Sequence, residues 1–117
     1  MGSNPTRGTL RLQVVRTLRD VGQRSIERRL RETGDRLRRL REELRIVDEQ
    51  LHHLADEAED MGLRALVSET PGADIEYRDA RRHRDAMQAH RDQVASGIAE
   101  LEAKQDHLLE RLSRGSG

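Results

Sequence analysis

The chain has no cysteine, no tryptophan and no phenylalanine, and Tyr77 is its one aromatic residue. It has one lysine, Lys104, and two prolines in 117 residues. Without cysteine there is no disulfide, no thiolate chemistry and no cysteine-based zinc site. A rounded core normally draws much of its buried area from aromatic rings. Leucine, valine, isoleucine, methionine and alanine alone suit a narrow seam between helices better. No apolar run approaches the length of a membrane span, and no apolar signal-peptide core stands near the N-terminus. A cytoplasmic, bacterial setting is the default expectation.

What is present is charge and period. Charged residues make up 38% of the chain and hydrophobic ones 33%, with no net charge. Disordered chains tend to combine low hydrophobicity with high net charge and no period. Here the apolar residues recur regularly, in an Ala/Glu/Leu/Arg-rich background typical of coiled coils. From Ile26 they alternate by threes and fours: Ile26, Leu30, Thr33, Leu37, Leu40, Leu44, Val47, Leu51, Leu54, Ala58 and Met61. Two apolar positions per heptad on one helix face mark a coiled-coil seam. Upstream, Val15, Leu18 and Gly22 continue the stripe with a longer step. Ser68 to Asp74 is the break, where Pro71 disfavours helix at Thr70. Gly72 is expected to supply turn freedom and Asp74 to cap the next helix. The second stripe is read as Ala80, His83, Met87, His90, Val94, Ile98, Leu101, Gln105, Leu108 and Leu112, with one slip between Val94 and Leu101.

The expected fold is therefore all-α: a long antiparallel helical hairpin, assembled into a dimeric helical bundle. Residues 1–8 are read as a disordered leader and 115–117 as a flexible tail. One domain fills 9–114, with a helix over about 9–67, a turn over about 68–74 and a helix over about 75–113. A short turn between long helices favours antiparallel neighbours. With the turn centred on Thr70 and Pro71, the first helix overhangs the second from about Thr9 to Arg24. Leu10, Val14, Val15, Leu18, Val21 and Ile26 are then candidates for self-association, since grouped apolar residues left uncovered mark a binding surface.

Charge is segregated along the chain. Residues 1–47 hold thirteen arginines against six acids, and residues 48–76 hold nine acids against Arg64 alone. Residues 77–117 are nearly balanced. The acidic stretch includes Glu69, Asp74 and Glu76, a candidate docking tip for a protein of opposite charge. Arg36, Arg38, Arg39 and Arg41 form a candidate basic patch. Acids interrupt those arginines and no stacking aromatics accompany them, which makes nucleic acid an unfavoured partner. Solvated flanks with pairs such as Glu42 and Arg45 are the plainer reading of the same charges. The adjacent His52 and His53 point to different parts of the helix surface. His83 and His90 stand two turns apart and are read as polar seam residues that fix register. No nucleophile–base pair, phosphate loop or metal-ligand motif emerges, and the chain is read as a non-enzyme with no cofactor and no metal.

Two stretches carry a family resemblance: Asp74-Ile75-Glu76-Tyr77-Arg78-Asp79-Ala80-Arg81, and Ile98-Ala99-Glu100-Leu101-Glu102-Ala103-Lys104. Together they resemble the second arm of the N-terminal coiled coil of Gre-family transcription elongation factors. The resemblance covers about forty residues. It implies a hairpin that enters the secondary channel of RNA polymerase, where two tip acids of the family help hold a magnesium ion for transcript cleavage. Aligned on Glu76-Tyr77, those two positions are Thr70 and Ala73, which carry no carboxylate. The family's C-terminal globular domain has no counterpart either. The resemblance thus implies docking of an acidic tip without cleavage.

Overall fold

The computed structural model describes the backbone of residues 5–116 and the side chains of residues 8–115. It is an all-α helical hairpin of two helices, α1 over Pro5–Ser68 (64 residues) and α2 over Pro71–Ser116 (46 residues). The expected leader overlaps α1 from Pro5, and Met1 to Asn4 lie outside the described residues. Proline suits the first turn of a helix, where its missing N–H costs nothing.

In α1, every stripe position from Ile26 to Met61 is buried or half-buried. The same alternation extends to Gln23 at one end and Ala65 at the other. In α2 the seam positions, all buried or half-buried, are Tyr77, Ala80, Arg84, Met87, Arg91, Val94, Ile98, Leu101, Gln105, Leu108 and Leu112, and Ala73, Ala95 and Gly97 are half-buried beside them. The seam series alternates by threes and fours without interruption. It corrects the sequence reading twice: the slip between Val94 and Leu101 does not exist, and His83 and His90 are exposed. Arg84 and Arg91 take the seam positions instead, each with a side chain 36% exposed. An arginine stem can lie along an apolar seam while its guanidinium reaches the edge. Arg91 uses that reach to donate from Nε to Asp48 Oδ1 across the hairpin, at 2.8 Å.

The turn is shorter than expected. Only Glu69 and Thr70 stand between the helices. Glu69 has φ of 51° and donates its N–H to Ala65 O at 3.2 Å, a left-handed end to α1. Thr70, not Asp74, caps α2: Ala73 N–H donates to Thr70 Oγ1 and Asp74 N–H to Thr70 O, both at 3.2 Å. Pro71 fits the first helical position, so α2 restarts at once and Gly72 lies inside its first turn with no positive φ. Asp74 sits in that first turn, where its charge favours the positive helix end. The centre of the hairpin therefore falls between Glu69 and Thr70, one residue earlier than expected.

Packing divides the chain into two compact units. The unit of residues 37–100 buries Leu37, Val47, Ala58, Val94 and Ile98. In it Gly97 lies close to Leu40, and Gly62 lies opposite Tyr77. The other unit joins the residues up to Arg36 with those from Leu101 onward and buries Ile26, Thr33, Leu101 and Leu108. In it Gly115 lies against Gln23.

Two adjacent substitutions should act in opposite directions. Glu69→Gly relieves a left-handed conformation that costs an L side chain about 1 kcal/mol. Urea unfolding should show a gain of that order. Thr70→Ala removes the cap and should lower stability by about 1 kcal/mol.

Candidate interaction surfaces

The first surface is an arm at the start of α1. Gly115, near the end of α2, faces Gln23, and among the described residues no second helix lies opposite α1 upstream of that point. Leu10, Leu12, Val14, Val15, Leu18 and Val21 are all 51–66% exposed there. Ile26 departs from the proposed self-association set: it is only 9% exposed and belongs to the hairpin seam. The seam series, continued upstream from Gln23, falls on Arg19, Arg16 and Leu12. Leu18 is one residue from Arg19, about 100° around the helix, and Val21 is two residues from Gln23, about 200° around. Leu10, Val14, Leu18 and Val21 thus form a second apolar stripe on a different face from the seam. Thr17 lies on the same stripe, and its hydroxyl donates to Gln13 O at 2.8 Å. That internal bond leaves no polar demand on the stripe.

The second surface is the tip, within the unit of residues 37–100. Leu63, Leu66, Val67 and Ile75 are 56–86% exposed. Beside them runs an open groove lined by Ala55, Ala58, Glu59, Gly62 and Leu66 of α1 and by Tyr77 and Arg84 of α2. A Cβ added at Gly62 would stand 3.1 Å from the Tyr77 ring, so glycine lets the ring close that end. Arg81 lies over the other part of the ring, 5.5 Å from its centroid. The tip acids Glu69, Asp74 and Glu76 are exposed.

The remaining candidates do not converge. Arg36, Arg38, Arg39 and Arg41 are all exposed, but Arg38 and Arg41 already engage in polar or electrostatic interactions within the chain. Arg38 and Arg39 are consecutive and point about 100° apart. His90 Nε2 is 3.4 Å from Glu43 Oε1, and His52 Nε2 is 3.5 Å from Asp56 Oδ2. Among the described residues no group of three or more His, Asp or Glu side chains could hold a metal ion, and no helix is long and apolar enough to cross a membrane.

Elsewhere the charges pair locally. Arg45 bridges Glu42 and Glu49 at 2.6 and 2.8 Å. Its hydrogen bond, then its charge, holds the Glu42 carboxyl below the usual range. A carboxyl depressed in this way supports the fold above the ordinary carboxylate pKa and loses that support as pH falls through its own. Asp48 raises the Arg91 guanidinium in the same manner.

Comparison with protein-family models, curated proteins and solved structures finds no match to this chain. The interaction surfaces rest on geometry and charge alone.

The two glycines of α1 nearest these surfaces should respond differently to alanine. A Cβ at Gly22 meets nothing within 4 Å, so Gly22→Ala should stabilise by about 1 kcal/mol through helix propensity. Gly62→Ala should gain less, because the Tyr77 ring must move. Tyr77 is the sole aromatic fluorophore, and its emission should change in Gly62→Ala and not in Gly22→Ala.

Proposed function

We propose that this chain is a non-enzymatic coiled-coil interaction protein that works through self-association and protein–protein binding, with the α1 arm as its association surface. The observation that carries this reading is the exposed stripe of Leu10, Val14, Leu18 and Val21 on a helix segment that, among the described residues, has no helix across from it. The arm continues α1, so its helix is already nucleated, and what it lacks is tertiary packing for its apolar face. Burying its apolar face against a partner both orders the arm and removes that face from solvent. The homo-oligomer, with a dimer as its smallest form, and the cytoplasmic bacterial setting belong to this proposal.

Light scattering across a micromolar concentration series tests it. The expected mass rises above the 13.4 kDa of one chain. Val14→Asp with Leu18→Asp should return the protein to that mass with its helix content kept, because both positions are exposed. A wild-type chain that stays at one-chain mass throughout overturns the reading.

A second reading follows the Gre-like hairpin: a transcription regulator that offers its acidic tip to RNA polymerase. The exposure of Glu69, Asp74 and Glu76 favours it. Thr70 and Ala73 stand where that family's metal-holding acids fall, so the reading is docking without transcript cleavage. Glu69→Gln, Asp74→Asn and Glu76→Gln together should abolish capture of purified RNA polymerase. Unchanged capture, or none by the wild type, removes this reading.

A further inference from the structure

We propose that the apolar arm of one copy docks head to tail in the groove at the hairpin tip of a second copy, basic arm against acidic tip. The inference rests on the self-association reading and names the surface that the arm meets. Three observations carry it.

The first is shape. The groove follows the small residues Ala55, Ala58 and Gly62 along α1 to Leu63 and Leu66, with Glu59 beside them and Tyr77 and Arg84 of α2 across. Small residues at helical spacing let another helix approach closely and seat larger side chains between the walls. The arm offers such a ridge in Leu10, Val14, Leu18 and Val21.

The second is length. Leu10 to Val21 spans eleven residue steps, and so does Ala55 to Leu66. At the rise of an α-helix each stretch is about 16 Å long. The apolar stripe of the arm thus matches the stretch from Ala55 to Leu66 in length, and open space continues from Ala55 and Arg84 toward Leu51.

The third is charge. Residues 9–24 carry Arg11, Arg16, Arg19 and Arg24 against Asp20 alone. Residues 55–84, which take in both helices of the groove, carry eight acids against Arg64, Arg78, Arg81, Arg82 and Arg84, with the acids concentrated on α1 and the turn. Two arms brought face to face would set like charges together. An arm on a tip sets opposite charges together, which speeds encounter and disfavours the alternative pairing. A contact between two different patches leaves one arm and one tip open at the ends of every complex, so association continues beyond two copies unless a ring closes.

Complementation tests this. The arm variant carries Val14→Asp and Leu18→Asp. The tip variant carries Leu63→Arg and Leu66→Arg, at positions 58% and 75% exposed. Circular dichroism confirms that both keep their helices. Wild type should grow in mass with concentration and weaken as salt is raised. Each variant alone should sediment as one chain. Their equimolar mixture should form a one-to-one complex of twice the chain mass, because the intact arm of one meets the intact tip of the other. A tip variant that associates like wild type, or a mixture that stays at single-chain mass while wild type associates, overturns the head-to-tail contact and leaves the arm reading standing. A wild type that does not associate overturns both.

Discussion

The architecture depends on a seam two residues wide per heptad. With so few aromatics there is no other way to bury enough apolar surface, and the helices must be long because each turn contributes little. Leu37, Val47, Ala58, Val94, Ile98 and Leu101 are buried because the alternation by threes and fours holds them on one face. Everything else on the helices is solvated, which is why the chain carries so much charge at no net cost in sign. The polar exceptions on the seam are handled locally. Thr33 is 2% exposed, and no buried side-chain polar atom among the described residues lacks a partner. Arg91 lies along the seam and ends on Asp48.

The same constraint explains the surfaces. A seam works only where two helices face each other. α1 starts far upstream of the point that the end of α2 reaches, and there the seam series passes through Arg19 and Arg16 to Leu12 while Leu10, Val14, Leu18 and Val21 open a second apolar stripe on another face. A helix that merely overhung its partner would become polar all round. This one becomes apolar on a new stripe, which is the pattern of a helix with a second partner. At the other end, the two-residue connection at Glu69 and Thr70 keeps the helices adjacent to the last turn. It leaves Leu66, Val67 and Ile75 outside the seam, in the same stretch of chain as the exposed Glu69, Asp74 and Glu76.

Much of this was legible in the residues. The α1 seam was clear because its positions are aliphatic and strictly spaced. The arm was clear because apolar residues continued past the reach of a second helix. The α2 seam was misread at two positions. The sequence reading places His83 and His90 on the seam where the structure has Arg84 and Arg91, and that placement carries the slip that does not exist. Polarity alone misses that an arginine stem offers three methylenes of apolar length before its charge. The turn was misread because Gly72 and Asp74 looked like turn and cap. Proline at the first helical position, with threonine before it, was the stronger signal. The left-handed Glu69 carried no sequence signal, since nothing about glutamate favours that conformation. The groove at Gly62 was invisible because it needs Tyr77, fifteen residues away and across the hairpin.

The central claim is that the α1 arm is a helix face awaiting a partner. Amide hydrogen exchange across a dilution series tests it most directly. The account predicts that amides of residues 9–22 exchange fast at the lowest concentration and slow progressively as concentration rises, while those around Leu37 and Val47 stay protected throughout. Arm amides as protected as those of Leu37 at the lowest concentration, or equally fast at every concentration, would contradict it.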